Sequence, residues 1–311
     1  MHKKINWPDG KKFAFTVFDD ADAHVNNDVQ NVYRFLKELG MRTTKSVWPN
    51  KGTGEPICGG FTCEDPGYLD WIYQLIEEGF EIGYHLATYH SSTREESKLA
   101  LDKYKQWFGH DPVTMANHAL CKDTIYWGPS RLENPILKAF YKLLNIHKDK
   151  NFLGHDEKSE YFWGDYCRER IKYVRNFVYR ETNTLKSCPF MPYIDPKKPF
   201  VDMWYASTEG PKVGPFTNAI TPDKIDKLEE EGGLCLMYTH FGYQFSVDGK
   251  LNPEFKHNME HIAKKDGWFA PVSEVLDFLS KENGGVHTIT TSERNQLERK
   301  WLFDKLILGS T

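Results

Sequence analysis

The sequence has no run of about 20 apolar residues, and its mean hydropathy is −0.62, so no helix is expected to span a membrane. It has no surplus of one charge: 40 basic and 44 acidic residues leave a net −4, which excludes the basic footprint of a nucleic-acid binder. It has neither a GxGxxG turn nor a Walker lysine motif, which argues against dinucleotide binding and nucleoside-triphosphate chemistry. It also lacks internal repeats and low-complexity linkers. The six cysteines follow no framework pattern; Cys58 and Cys63 lie close, but no second pair at metal-binding spacing accompanies them. The start, MHKKINWPDGKK, is basic without an apolar segment, so it does not read as a signal peptide. The expectation is a cytoplasmic protein with reduced thiols.

What is present is a 311-residue chain of ordinary globular composition, 40% hydrophobic and 14% aromatic. Short β-favouring runs alternate with helical periodicities. Strands are expected at residues 13–18, 43–48, 81–86, 113–117, 173–179, 200–206, 234–239 and 268–270. Helices are expected at 28–39, 67–78, 92–108, 134–145, 222–230, 253–264 and 273–279. Ser92 with Glu95 three residues on reads as a capping box. Such alternation implies parallel strands, and about seven units without a dinucleotide turn suggest a closed (β/α) barrel. The aromatic-rich stretch 148–198 reads as an irregular insertion. Residues 1–285 are assigned to the barrel and 286–311 to a C-terminal helical extension. That extension is a packing or dimer element, so a homo-oligomer is allowed.

In such barrels the strand C-terminal ends carry function. The first ends in Asp19 and Asp20, with Asp22 just beyond; the third carries His85, with His90 in the following loop. The fourth ends in Asn117 and His118, the strand after the insertion contains Asp202 and Trp204, and the next ends in His240. Two acids and several histidines from different strands thus converge on one rim. Adjacent carboxylates are tolerable where a cation or a shared proton lies between them. Asp plus two His suits a divalent metal with open positions for water. Lys45 and Trp48 end the second strand and are candidate substrate contacts. Arg175, Arg180 and Lys186 read as a solvated charged face.

TVFDD at 16–20, EIGYH…H at 81–90 and CLMYTHFG at 235–242 resemble the polysaccharide deacetylase superfamily, carbohydrate esterase family four. WFAPVSEVLDFL at 268–279 resembles that family's last strand and helix. The resemblance implies a distorted (β/α)7 barrel. It implies Asp19 as catalytic base and His240 as general acid, with Asp20, His85 and His90 binding a divalent metal, by default Zn2+. Asp22, Lys45, Trp48, Asn117, His118, Asp202 and Trp204 remain the candidate substrate-binding residues. The implied reaction is metal-dependent hydrolysis of an acetamide on an amino sugar in a polysaccharide, oligosaccharide or sugar precursor of surface-polysaccharide biosynthesis.

The sequence departs from the family pattern in three places. The histidines are spaced H-x-x-x-x-H instead of H-x-x-x-H, and on a helix a five-residue step rotates the second side chain by about 140°. His90 therefore ligates only if the loop bulges by one residue, and Asp22 is the alternative ligand. The family's R-x-P-Y is replaced by ANHA at 116–119, so Asn117 or His118 stands where the base-orienting arginine belongs. The later Asp-Arg-Trp region reads DMWYASTEGP, without arginine. Two other readings stay open: a weakly active or inactive carbohydrate-binding barrel, and a glycoside hydrolase using two carboxylates, the second being Asp202 or Glu209.

Overall fold

A computed structural model describes residues 5–53, 58–118, 121–144 and 151–308. Strand β1 (Phe13–Asp19) is buried along its whole length, as a strand covered on both faces must be. It is followed in chain order by α1 (Asp28–Glu38), β2 (Thr44–Val47), α2 (Tyr68–Glu77), β3 (Glu81–Tyr84), α3 (Arg94–Phe108) and β4 (Thr114–Met115). Next come α4 (Pro135–Leu143), α5 (Gly164–Arg170), β5 (Tyr173–Tyr179), α6 (Thr184–Ser187), β6 (Tyr193–Ile194) and β7 (Met203–Glu209). The chain continues through α7 (Val213–Ala219), α8 (Pro222–Glu231), β8 (Leu234–Thr239), the hairpin β9 (Ser246–Val247) and β10 (Lys250–Leu251), and α9 (Pro253–Ala263). It ends with β11 (Gly267–Trp268), α10 (Val272–Glu282), β12 (His287–Thr288) and α11 (Thr291–Leu308).

Seven parallel strands close on themselves in the order β1-β2-β3-β4-β5-β7-β8, with β8 returning to β1. The expected (β/α)7 barrel is therefore present, as a single domain. Its distortion has a definite place. One edge of β1 pairs β8 at six successive positions, from Ala14↔Leu234 to Asp19↔Thr239. The other edge is divided: β11 takes Phe13 and Ala14, and β2 takes only Phe18 and Asp19. β11 thus wedges the bottom of the barrel open between β1 and β2.

The helices coat the barrel for the usual reason. In α1, Val29, Val32, Tyr33 and Leu36 are buried at the helical spacing that makes one apolar face. In α3 the capping box is Thr93 with Glu96, one residue later than expected: Glu96 N–H donates to Thr93 Oγ1 and Thr93 N–H to Glu96 Oε2. Gly109, at φ +80°, ends that helix in the left-handed region where glycine costs least.

Within the stretch 148–198 the strand expected at 173–179 is present as β5, and the rest also holds the short helices α5 and α6 and strand β6. α11 packs on β5 and α4. Trp301 is fully buried against Tyr141 and Phe177, and Glu298 accepts the backbone N–H groups of Glu133 and Asn134. The C-terminal helix therefore shares the core of the barrel. Among the described residues no helix is long and apolar enough to cross a membrane.

Strand β7 starts three residues later than the sequence suggested, because Phe200 and Val201 lie in the preceding turn. That shift decides the place of Asp202, which precedes the strand at the N-terminal end of the barrel, away from the rim where the other candidates meet.

Candidate active site

The backbone carries Asp19, Asp20 and Asp22 off the end of β1, the best-paired strand. Successive side chains alternate in direction along a strand, and the three carboxylates meet different surroundings. Asp19 turns toward α1 and β2. Its oxygens accept the Tyr33 hydroxyl at 3.0 Å and the Phe241 N–H at 2.7 Å, and Lys45 Nζ lies 2.9 Å away. Burial raises its pKa against the opposing effect of those three partners. The carboxylate is fully enclosed. Asp19 and Lys45 thus form a buried ion pair joining two strands.

Asp20 faces the barrel interior. Arg175, from β5, holds it with two parallel hydrogen bonds of 2.8 and 2.6 Å, the geometry that suits a guanidinium to a carboxylate. The pair is almost fully enclosed, at 3% and 2% exposure. The charge of Asp20 raises the Arg175 pKa despite burial, and the guanidinium carbon lies 4.3 Å from the centre of the Tyr238 ring. Sequence reading placed Arg175 on a solvated face. The signal it missed is local: YVRNFVY has an arginine inside an otherwise buried strand, and a buried guanidinium requires a partner. Of the other two basic residues, Arg180 is exposed and Lys186 pairs with Glu231.

Asp22 is the centre of the site. His85 Nε2 lies 3.2 Å from Oδ1; His118 Nε2 and His240 Nε2 lie 3.6 and 3.5 Å from Oδ2. Cys58 Sγ donates to Oδ2 at 3.3 Å. Burial would raise the Asp22 pKa, but His118, His85 and His240 outweigh it and hold the carboxyl well below its ordinary range. His118 is itself pushed down to about 4, chiefly by burial. Burial and the Asp22 charge raise the Cys58 thiol to about 11.

Two of the histidines are oriented from behind. His85 Nδ1 lies 3.1 Å from the Ala116 carbonyl oxygen, and His240 Nδ1 lies 2.8 Å from that of Pro211. When Nδ1–H donates to those carbonyls, Nε2 of each ring faces the site with its lone pair. His240 Nε2 is also 3.8 Å from Asp20. Trp48 closes one side, its ring centre 5.6 Å from that of His85 and 5.4 Å from that of His118.

The donor chemistry fits a divalent ion. Asp22, Cys58 and His118 each offer one ligand atom, and these atoms lie within 4.8 Å of one another. His118 Nε2 is buried with no hydrogen-bond partner among the described residues. Such an atom costs free energy unless something occupies its lone pair. Carboxylate and imidazole donors suit zinc and its neighbours.

The other expected residues fall elsewhere. His90 is half-buried on the loop after β3, edge-on to Tyr89, and does not join the donors around Asp22. Gly52 backs that loop so closely that a Cβ there would lie 2.2 Å from the Tyr89 ring and 2.3 Å from the His90 ring. Asn117 is a structural tie: its side chain exchanges two 2.9 Å hydrogen bonds with the Ile125 backbone. Trp204 is fully buried within β7. Asp202 binds the Arg168 guanidinium at the opposite end of the barrel. An arginine does reach a carboxylate of β1, but from β5 and not from the segment 116–119 where the resemblance placed it.

No family model matches the sequence, and no curated protein matches it. Solved structures do. A protein from Mycobacterium smegmatis assigned to the polysaccharide deacetylases superposes with a TM-score of 0.50 at 14% identity, covering 92% of this chain and 96% of that one. The allantoinase Puue superposes equally well, TM-score 0.50 at 11% identity, over 89% of this chain and 93% of its own. The chain has the fold of the polysaccharide deacetylases, a (β/α)7 barrel. At these identities the likeness is one of fold.

Proposed function

We propose that this protein is a metal-dependent hydrolase that removes the acetyl group from an amino sugar of a polysaccharide, an oligosaccharide or a sugar precursor. The observation that carries the reading is the meeting of Arg175-clamped Asp20, His240 and the Asp22 donor cluster at the rim of β1, β3, β5 and β8. It takes its reaction class from the deacetylase fold and its roles from this geometry.

In this reading the metal is held by Asp22, His85 and His118, one position set removed from the Asp20, His85 and His90 that the sequence resemblance suggested. A divalent ion there supplies Lewis acidity, polarising the amide carbonyl and lowering the pKa of water. Asp20 takes the base role in place of Asp19, because its carboxylate lies 3.8 Å from His240 Nε2 while Asp19 is turned away to Lys45 and Tyr33. Arg175 fixes the orientation of that carboxylate, so it accepts a proton from water without rearranging. His240, held by the Pro211 carbonyl, presents Nε2 to the same space and delivers a proton to the departing amine. Trp48 shields the histidines from bulk water. The two-carboxylate alternative loses Asp202, which lies at the other end of the barrel.

The test is release of acetate from N-acetylglucosamine oligomers by zinc-loaded protein, beside Asp20→Asn and His240→Asn. We expect each variant to lose turnover by about 100-fold or more, the usual scale of a general acid or base, with zinc still bound. Full activity in Asp20→Asn would refute the assigned base. Failure of the wild type to bind any divalent ion would refute the reading as a whole.

A further inference from the structure

Cys58 is not among the Asp22, His85 and His118 ligands of the proposed function, and its sequence spacing to Cys63 pointed to no metal site. In the structure its sulfur is 3.3 Å from Asp22 Oδ2 and 3.1 Å from the Tyr243 hydroxyl. It shares with Asp22 and His118 the one arrangement of ligand atoms close enough to embrace an ion among the described residues. The buried Nε2 of His118 is without a hydrogen bond among the described residues and opens on the same space. Zn–S, Zn–N and Zn–O bonds of about 2.0–2.3 Å place ligand atoms of one tetrahedron roughly 3–4 Å apart, close to the spacing seen here.

We propose that Cys58 is a metal ligand through Sγ, joining Asp22, His85 and His118 in a set whose sulfur makes the centre selective for zinc or cobalt over magnesium or manganese. The proposal rests on the reading of this rim as a metal centre and adds to it a ligand of different chemistry. On binding, the thiol proton leaves to solvent and the sulfur forms its bond to the ion; no electrons are transferred. Tyr243 is placed to keep the thiolate satisfied, because its hydroxyl can donate to sulfur once the thiol proton is gone. The Tyr243 ring also stands edge-on to His240 with ring centres 5.3 Å apart, which ties the sulfur ligand to the proton donor. Thiolate donors favour zinc over the oxygen-preferring ions, so the sulfur sets metal preference.

The experiment uses the full chain, stripped of metal and titrated with cobalt(II), with metal content per chain measured in parallel. A near-ultraviolet thiolate-to-cobalt charge-transfer band in the wild type, absent in Cys58→Ser, is the expected result. Zinc affinity of Cys58→Ser should fall by more than the roughly 10–100-fold that losing an outer-shell partner costs, while its circular dichroism stays that of the wild type. Zinc should also protect Cys58 from alkylation. Cobalt binding at one ion per chain without the band, with Cys58→Ser equal to wild type in zinc affinity, overturns the sulfur ligand and leaves the metal centre standing. Absence of any bound ion in the wild type overturns both.

Discussion

Asp19 and Asp20 are sequence neighbours with opposite surroundings, and substitution separates them. Asp19→Asn leaves the Lys45 ammonium buried without its counter-charge. Breaking such a pair costs about 3–5 kcal/mol, so chemical denaturation should show a loss of that order. Asp20→Asn likewise leaves the Arg175 guanidinium buried without its counter-charge, so it should lose stability of the same order, but it alone of the two should also lose turnover in the protein that remains folded. A second residue-scale outcome concerns Asp123. Its carboxyl is fully buried; Oδ1 accepts the Ser92 N–H at 3.1 Å, and Oδ2 has no partner among the described residues. Burial raises its pKa from 3.8 to about 7. Between those values the unfolded chain has lost a proton that the folded chain still binds, so stability falls as pH rises through the window and levels off above it. The full shift corresponds to about 4 kcal/mol. Urea titrations of Asp123→Asn from pH 4 to 8 should lack that slope, and a slope equal to wild type would show that Asp123 does not cause it.

Elements explain what was legible in the sequence and what was not. Strand ends were readable because β1, β3 and β8 are short apolar runs that stop at acids or histidines. The facing of each side chain was harder to read. One residue along a strand exchanges inside for outside, so FDD alone could not tell Asp19 from Asp20. The three-residue shift in β7 had the same kind of effect, carrying Asp202 to the wrong end of the barrel. The partners of Arg175 and Cys58 could not be named for another reason: they lie 155 and 36 residues away in sequence. The helix α11 was set apart as an extension, yet Trp301 is enclosed by Tyr141 and Phe177. Trp301→Ala should therefore cost about 3–5 kcal/mol. A free-standing appendage would give a change near zero in the same unfolding experiment.

For the whole molecule, the proposed metal centre would couple ion binding to folding. Asp22, His118, His85 and Cys58 come from segments spread over nearly a hundred residues, and only the closed barrel assembles them. An ion bound to the native state alone adds about 2.7 kcal/mol at 100 times its dissociation constant. Zinc should raise the thermal midpoint of the wild type, a chelator should reverse the rise, and Asp22→Ala should show neither response. A rise of equal size in Asp22→Ala would place the ion elsewhere.

The divided edge of β1 has a consequence for how the barrel breathes. β11 occupies the lower part of that edge, so only two residue pairs join β1 to β2, against six joining β1 to β8. Side chains reinforce this short seam: Ser46 Oγ donates to the Asp19 carbonyl, Lys45 Nζ to the Asp20 carbonyl, and the Asp19–Lys45 pair closes over both. The seam is the barrel's zip and the ion pair its clasp. Opening there would part β2 from β1 while β1 stays paired to β8, so amide hydrogen exchange in β2 should outpace that in β8, and Asp19→Asn should widen the gap.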